Sequence, residues 1–245
     1  MLVPRAQDGI YVIEHDGEHL IVMPSGWTRA KMTEAGLSVR RESEAWAWLE
    51  SKHPSLAVHL APFEAACRKR EDQGDYWWEL RSCDYYGSLE APKIVFPDIC
   101  KGPRFSFDRS GTYLKNTAYC LGSDSLYLLA VLNSRLFWFT IARLSIPFGI
   151  RAGEFRYRLI YQYMEHVPIR VLDLAIPAQK AQHDRMVQLV EQMLKTKAQV
   201  STAKTESERT YLEDKCAGLD RQIDQLTYDI YDLTPEEVAL VEQRK

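Results

Sequence analysis

Arginine is concentrated in one segment of this 245-residue chain. Residues 135 to 170 contain six arginines and two glutamates, with no lysine or aspartate, so the local charge is 6 − 2 = +4. The guanidinium group is planar, stays charged, and can donate two parallel hydrogen bonds to a phosphate or to the edge of a guanine. This chemistry suits a nucleic acid, although some of these arginines could instead cover core edges or pair with acids from other segments. The six are Arg135, Arg143, Arg151, Arg156, Arg158 and Arg170.

The charge of the whole chain does not share this bias. The formal net charge is −3, which argues against a uniformly basic nucleic-acid-binding protein, so the distribution of charge matters more than its sum. Residues 1–170 carry 21 − 20 = +1, and residues 171–245 carry 10 − 14 = −4. Only the first part of the chain therefore has a net positive charge.

Two clusters combine aromatic side chains with polar or basic ones. Tyrosine and serine can bind phosphate, aspartate can accept a hydrogen bond from cytosine, and arginine can bind guanine. Alternatively, Trp77, Trp78 and Tyr85 belong to the core. Arg81 could also serve only to hold Glu79 or a helix end. The first cluster is Tyr76, Trp77, Trp78, Arg81, Ser82, Asp84, Tyr85 and Tyr86, and the second is Arg151, Arg156, Tyr157, Arg158, Tyr161 and Tyr163.

A third group of cations flanks a predicted turn between strands. Basic side chains beside such a turn are candidates for phosphate contacts. This group is Lys101, Arg104 and Arg109. Together with members of the two clusters and with Arg143, it makes up the set of side chains that we expect to contact DNA. The predicted DNA-contacting residues are Arg81, Ser82, Asp84, Tyr85, Tyr86, Lys101, Arg104, Arg109, Arg143, Arg151, Arg156, Tyr157 and Arg158.

No constellation for catalysis or metal binding stands out. The five cysteines are odd in number and include no Cys-x-x-Cys pair, so we expect reduced thiols that mostly pack. His15 and His19 have the spacing of metal ligands on a helix, but Asp16 and Gly17 between them predict a hairpin turn. Asp98 lies more than a hundred positions before the nearest downstream Glu-x-Lys sequence, Glu213 to Lys215. We therefore expect no catalytic residue and no metal site in this chain.

Composition indicates a globular protein. The chain is 46% apolar and 27% charged, enough to bury one substantial core or two modest ones. No uninterrupted apolar run approaches the roughly 20 residues that a membrane helix needs. The first residues also lack a basic region followed by an apolar one, so we expect a cytoplasmic protein.

The first half of the chain is expected to mix short strands with helices. Residues 10–23 read as a hairpin with a turn at residues 15–18, and a helix is predicted over residues 42–51. A second helix is predicted from Ser55 to the basic residues 68–70, because apolar residues recur there at helical spacing. Strands are then predicted at residues 93–96, 105–108 and 117–121, separated by turn residues.

A central helix and an irregular segment follow. Apolar residues from Leu126 to Phe137 form a broad face, so we expect one core helix beginning near Ser125. Residues 149–163 are rich in arginine, tyrosine and glycine with weak periodicity, which favours an exposed loop or an edge hairpin.

The last 70 residues change character. A helix is predicted over residues 178–198, and the next has an a/d seam of spacing 4-3-4-3-4-3 that runs from Leu212 to Leu233. A turn at residues 201–206 makes an antiparallel helical hairpin the economical arrangement. Thr234, Pro235 and Glu237 predict a final capped helix over residues 234–242. The fold class is therefore α+β, with a mixed α/β domain at residues 1–176 and a coiled-coil-like hairpin with its tail at 177–245.

Several separate blocks of the sequence, in order, resemble one known family. The blocks are Tyr76-Trp77-Trp78-Glu79-Leu80-Arg81, Pro92-Lys93-Ile94-Val95-Phe96-Pro97-Asp98-Ile99, Asn116-Thr117-Ala118-Tyr119-Cys120, Leu132-Asn133-Ser134-Arg135-Leu136 and the region 219–241. The chain resembles, from about Leu56 through Val241, the TaqI-like C-terminal specificity domain of bacterial N6-adenine DNA methyltransferases and fused restriction-modification enzymes.

The resemblance implies a target recognition domain. Such a domain lies in the major groove of double-stranded DNA, and its helices dock on a methyltransferase catalytic domain that binds S-adenosylmethionine and flips the target adenine. The glycine-rich cofactor turn and the Asn/Asp-Pro-Pro-Tyr/Phe loop of that catalytic domain are absent from this sequence. We therefore expect no cofactor in this chain. The catalytic domain is expected either on the same polypeptide or on a separate subunit.

Two other functions stay open at this point. The seam from Leu212 to Leu233 could pair between chains, which would make the protein an assembly module whose arginines meet acidic partners. A metal-dependent nuclease that uses Asp98 is the third alternative.

Overall fold

The computed structural model describes residues 11–15, 18–38, 41–83, 86–114 and 117–243. These residues form two compact units. The first holds the described residues up to Glu90 together with Ser110–Tyr113, and the second holds Ala91–Arg109 and the described residues from 114 onward. The helical hairpin lies in the second unit with the strands that follow residue 90, so the units divide differently from the predicted domains 1–176 and 177–245. That predicted division stays a prediction.

The described residues of the first unit form one two-stranded sheet, five α-helices and a short 3-10 helix, Ala61–Phe63. Strands β1 and β2 pair antiparallel from Tyr11↔Val22 to His15↔Glu18, which confirms the predicted hairpin; its turn residues 16 and 17 lie outside the described residues. The predicted helix at 42–51 is also confirmed. The elements are β1 Tyr11–His15, β2 Glu18–Val22, α1 Trp27–Glu34, α2 Glu42–Lys52, α3 Pro54–Leu60, α4 Glu64–Cys67 and α5 Tyr86–Glu90.

Aromatic side chains fill the core of the first unit. Trp77 and Trp78 are 3% and 4% exposed, and the ring of Trp77 lies 5.0 Å from that of Trp46. Tyr76 stacks on Trp78 with ring centroids 4.7 Å apart. The alternative interpretation of both tryptophans as core residues is therefore confirmed.

A buried carboxylate joins this core to the start of α1. Glu79 is 0% exposed and accepts hydrogen bonds from the backbone N–H groups of Gly26 at 2.9 Å, Thr28 at 2.8 Å and Asp75 at 3.1 Å. A carboxylate at a helix N-terminus satisfies donors that have no partner within the helix and is favoured by the helix dipole. Arg70 donates to the carbonyl oxygens of Trp77 and Glu79, which fixes the same segment.

The second unit contains two three-stranded antiparallel sheets, as the α+β prediction requires. One has the order β5-β3-β6 and the other β4-β8-β7. In the first, the central strand buries Ile94 and Phe96, and its Lys93, also buried, lies opposite Asp108 with Nζ and Oδ2 2.6 Å apart. The strands are β3 Lys93–Pro97, β4 Ile99–Cys100, β5 Ser106–Asp108, β6 Ala118–Leu121, β7 Pro147–Arg151 and β8 Glu154–Arg158.

Six helices complete the second unit. They are α6 Leu126–Asn133, α7 Arg135–Leu144, α8 Tyr161–Met164, α9 Pro177–Thr202, α10 Glu206–Ile230 and α11 Pro235–Glu242. The single core helix predicted over residues 126–137 is wrong, because Ser134 adopts an extended backbone and its Oγ accepts a hydrogen bond from the Phe137 N–H. Serine is a preferred N-cap residue, so a new helix begins there.

The predicted C-terminal hairpin is confirmed. Three residues join α9 to α10, and α10 packs along α9. The seam is buried within this chain: Leu212, Cys216, Leu219, Ile223 and Ile230 are all less than 9% exposed. The last helix also begins as predicted, with a reciprocal capping box between Thr234 and Glu237.

Candidate nucleic-acid interface

The segment chosen for its arginines forms a tight β-hairpin, which confirms the edge-hairpin option of the sequence analysis. Strand β7 pairs antiparallel with β8 through Arg151↔Glu154, Ile150↔Phe155 and Pro147↔Tyr157. The turn has two residues, Ala152 and Gly153, with φ of 53° and 77°. Positive φ at both central residues is the pattern of the hairpin turn that matches the twist of the flanking strands. β7 is therefore an edge strand whose turn projects beyond the sheet.

The base of this hairpin is anchored while its tip is exposed. Leu159, directly after β8, is 1% exposed, and its N–H donates to the Asp98 carbonyl oxygen at 2.7 Å. The Tyr157 ring contacts that of Trp138 edge-on at 5.6 Å. In contrast, every residue from 147 to 155 is exposed. A rigid base with a solvent-facing tip is a suitable arrangement for a recognition element on a scaffold.

The arginines of residues 135–170 divide into two classes. Three are held by carboxylates: Arg135 by Asp224 and Glu242, Arg158 by Asp98, and Arg170 by Asp232. For these three, the alternative interpretation of the sequence, pairing with acids from other segments, is correct. Arg143, Arg151 and Arg156 have no carboxylate partner among the described residues.

Arg158 stabilises the sheet. Its Nε and one terminal nitrogen donate to the two carboxylate oxygens of Asp98 at 3.0 Å and 2.8 Å. This bidentate pair joins β8 to the residue that precedes β4 and raises the pKa of the Arg158 guanidinium above its ordinary value, chiefly through the hydrogen bond. The fork of Arg158 is therefore occupied within the protein.

Lys101 and Glu154 form a second pair beside the hairpin. Lys101 Nζ lies 2.9 Å from Glu154 Oε2, and this hydrogen bond holds the pKa of Glu154 below its ordinary value. The two residues are 53 positions apart in sequence, so the pair ties the segment after β4 to the hairpin tip. Lys101 is then a weaker candidate for a phosphate contact than its sequence position predicts.

Arg156 is partly engaged within the hairpin, whereas Arg151 keeps its donors available. Arg156 lies against Phe148, with its guanidinium carbon 5.6 Å from the ring centroid and a terminal nitrogen 3.3 Å from the Phe148 carbonyl oxygen. Its buried Nε has no hydrogen-bond partner in the described parts of the chain. Arg151 is exposed at the turn, and its side chain makes no hydrogen bond or ion pair with any residue the structure describes. Its two-pronged donor group faces solvent.

The other predicted cations of the second unit are exposed. Arg143 donates to the Phe139 carbonyl oxygen at 2.9 Å and lies over the Phe139 ring, and Arg109 lies 4.8 Å from the Phe107 ring centroid. Arg104 follows the predicted turn and is fully on the surface. All three can therefore reach a phosphate without leaving a carboxylate partner.

The predicted contacts near residue 80 belong to the first unit. Arg81 and Ser82 are exposed, and Arg81 Nε lies 4.0 Å from Asp72. Asp84 and Tyr85 lie outside the described residues, and Tyr86 begins α5 without a described side chain. The aromatic members of this cluster, Tyr76, Trp77 and Trp78, are buried, so its combination of aromatic and basic residues predicts a core more than an interface.

Sequence reasoning missed a set of exposed apolar side chains on the hairpin. Ile146, Phe148, Ile150 and Phe155 are 71%, 47%, 60% and 51% exposed. Large apolar side chains that cluster on a surface are typical of interaction sites. The signal that could have revealed them is the alternation of Ile146, Phe148 and Ile150 in front of a two-residue turn.

Metal ligation and nucleophilic chemistry can be assessed at Asp98 and Cys100, near the hairpin. The described residues contain no cluster of three or more His, Cys, Asp or Glu that could hold a metal ion. Both oxygens of Asp98 accept from Arg158, which competes with metal ligation there. Burial raises the pKa of the Cys100 thiol to about 11, so this thiol stays protonated near neutral pH. No described helix combines the length and hydropathy required to cross a membrane.

Comparison with known proteins assigns a family. The model of the TaqI-like C-terminal specificity domain matches residues 15–169, which is 155 of the 245 residues. The matched region includes the β7–β8 hairpin; it begins earlier than the resemblance predicted and ends before α9. No curated protein matches the chain. The protein therefore belongs to the family of TaqI-like C-terminal specificity domains.

Proposed function

We propose that this chain reads a short sequence of double-stranded DNA with the β7–β8 hairpin, as the specificity domain of an adenine-specific DNA methyltransferase or a restriction-modification enzyme. The observation that carries the proposal is Arg151, an unengaged guanidinium at the exposed tip of a two-stranded ribbon in a chain of this family. The major groove is about 12 Å wide and admits a two-stranded β-ribbon. Because the turn has only two residues, Arg151 beside it can bring its guanidinium group to the base edges.

The contacts divide into those that read and those that position. Arg151 binds the O6 and N7 atoms of a guanine. Arg104, Arg109, Arg143 and Arg156 contact phosphates, which orient the hairpin without reading sequence. Arg158 and Lys101 keep their carboxylate partners and hold the ribbon in shape. Arg81 and Ser82 supply further phosphate contacts from the first unit.

The partner of this domain is a methyltransferase catalytic domain, on the same polypeptide or on another. That domain binds S-adenosylmethionine and extrudes the target adenine from the duplex. This chain selects the DNA sequence in which the target adenine lies. We propose a cytoplasmic location, because the ligand is DNA. Whether the complete enzyme also cleaves DNA depends on domains other than this one.

Two structural facts weigh against the other functions considered. The seam that would pair between chains in an assembly module is buried against α9 within this chain. Asp98, the carboxylate that a nuclease would use, is held by Arg158 on both oxygens. DNA recognition rests on Arg151, which has no partner among the described residues, whereas the alternatives rest on side chains that are engaged within the chain.

The experiment is selection of the purified chain on a randomised duplex pool at low salt, followed by sequencing of the retained DNA. Low salt is needed because one small domain makes few phosphate contacts and its affinity falls steeply with salt concentration. We expect enrichment of a short asymmetric motif that contains adenine. Retention without any motif at every salt concentration, or no retention, would contradict DNA reading by this chain alone, and repeating the selection with the catalytic domain present would then decide the question.

A further inference from the structure

The hairpin carries apolar surface where a purely phosphate-binding element would not need it. Ile150 and Phe155 face each other across the strands as a directly opposed pair and are 60% and 51% exposed. Opposed residues in an antiparallel ladder lie on the same side of the ribbon, so the two side chains form one continuous apolar patch. We call these two residues the apolar pair.

The charge around the apolar pair favours DNA as its occupant. Residues 143–158 carry four arginines and one glutamate, a charge of 4 − 1 = +3. An apolar patch framed by cations fits a surface that offers phosphates around an apolar group. This inference rests on the proposed function.

The dimensions of the groove place the apolar pair among the bases. A strand advances about 3.4 Å per residue, and the major groove is about 8.5 Å deep. When the turn enters first, only the two or three residues on each side of Ala152-Gly153 fit within that depth. Arg151 with Glu154 and then Ile150 with Phe155 are those residues, and the two pairs project from opposite faces of the ribbon. Ile146 remains at the rim.

Only one apolar group is presented by base edges in the major groove. It is the C5 methyl group of thymine, and 5-methylcytosine carries the same group. We infer that the apolar pair of Ile150 and Phe155 is a specificity-determining contact that reads the C5 methyl group of a pyrimidine on the opposite side of the ribbon from the base read by Arg151. Recognition is then by a guanidinium fork on one face of the ribbon and by apolar packing on the other.

The test uses the whole chain and the motif that the selection yields. Each thymine of the motif is replaced in turn by uracil, which removes the methyl group and leaves the hydrogen-bonding edge unchanged. In parallel, each cytosine is replaced by 5-methylcytosine. We expect one thymine position where uracil weakens binding about fourfold, the effect of one buried methyl group; if instead one 5-methylcytosine strengthens binding by that factor, the inference holds and the natural ligand is a methylated cytosine.

Variants connect the effect to the apolar pair. Ile150→Ala and Phe155→Ala should each reduce the ratio of affinities for the methylated and unmethylated duplexes towards one. Ile146→Ala is the matched control, since Ile146 is the more exposed isoleucine and lies outside the depth of the groove; it should keep the full ratio. Thermal melting of each variant verifies that the fold is retained.

Failure of this inference is distinguishable from failure of the proposed function. If the chain binds its motif with equal affinity whether or not any pyrimidine is methylated, the methyl contact is wrong and sequence reading stands. If Ile150→Ala and Phe155→Ala both keep the full ratio, the methyl group is read by other residues and the assignment is overturned. If no duplex is retained by the chain alone or with the catalytic domain present, the proposed function itself fails.

Discussion

Two parts of this molecule look alike in sequence and behave in opposite ways. The segment Tyr76 to Tyr86 and the hairpin formed by β7 and β8 both interleave aromatic and charged residues. In the first, Trp77, Trp78 and Glu79 are buried; in the second, residues 147–155 are all exposed. Aromatic residues next to charged ones therefore do not by themselves indicate an interface. Whether the charged groups already have partners within the protein distinguishes a core from an interface.

The charges of the two parts differ in what they contact. Glu79 accepts hydrogen bonds from three backbone N–H groups, so its carboxylate is fully engaged within the protein. Arg151 makes no hydrogen bond or ion pair within the portion that the structure describes. A buried charge must be paired, because leaving it unpaired costs several kcal/mol. An exposed charge is hydrated, so it can stay without a protein partner at little cost and remains available to a ligand.

The largest expected effect is on the core of the first unit. Trp77→Ala removes a ring that is 3% exposed and contacts Trp46 and Trp78, so we expect a loss of about 3–5 kcal/mol in the free energy of unfolding. Phe155→Ala is the matched change in the hairpin and should cost less than about 1 kcal/mol. Chemical denaturation of both variants measures the difference; equal losses would remove the distinction between the two regions.

Glu79 provides the next test. Glu79→Gln keeps the size of the side chain but places an amide N–H₂ group where at least one backbone N–H needs an acceptor. We expect a loss of about 1–3 kcal/mol, the cost of a buried unsatisfied polar group. The corresponding change in the hairpin, Glu154→Gln, affects an exposed residue and should leave the free energy of unfolding nearly unchanged. A silent Glu79→Gln would mean that the carboxylate does not hold α1.

A smaller effect divides the arginines of the hairpin itself. Arg158→Ala leaves Asp98, whose side chain is 16% exposed, without its bidentate partner, and we expect a lower melting temperature because a mostly buried carboxylate is left unpaired. Arg151→Ala should leave the melting temperature unchanged because no described contact is lost. Thermal melting of the two variants side by side checks this, and an equal drop would show that Arg151 also has a structural role.

Much of the fold follows from local sequence signals. The capping box at Thr234 and Glu237, the seam that buries Cys216 and Leu219, and the β1–β2 hairpin are short-range patterns, and each is confirmed. The break at Ser134 was missed, because the apolar face continues across it and the cap hydrogen bond is visible only in three dimensions.

The candidate site was less predictable than the fold. Sequence identified the arginines as a group, but it could not separate Arg158 from Arg151. Arg158 differs only because Asp98, 60 positions earlier, lies on the neighbouring strand segment. Pairing over such a distance depends on sheet register, which local patterns do not encode. The exposed apolar residues were missed for a related reason, since an apolar residue in an arginine-rich segment is expected to pack.

The most direct test of the central claim compares Arg151→Ala with Arg81→Ala in the randomised-duplex selection. Both arginines are exposed, and they represent the two regions. We predict that Arg81→Ala retains the wild-type motif, whereas Arg151→Ala loses preference for one guanine and weakens binding to the original motif roughly 10- to 100-fold. An unchanged motif with Arg151→Ala, or loss of the motif with Arg81→Ala, would contradict the assignment of sequence reading to the hairpin.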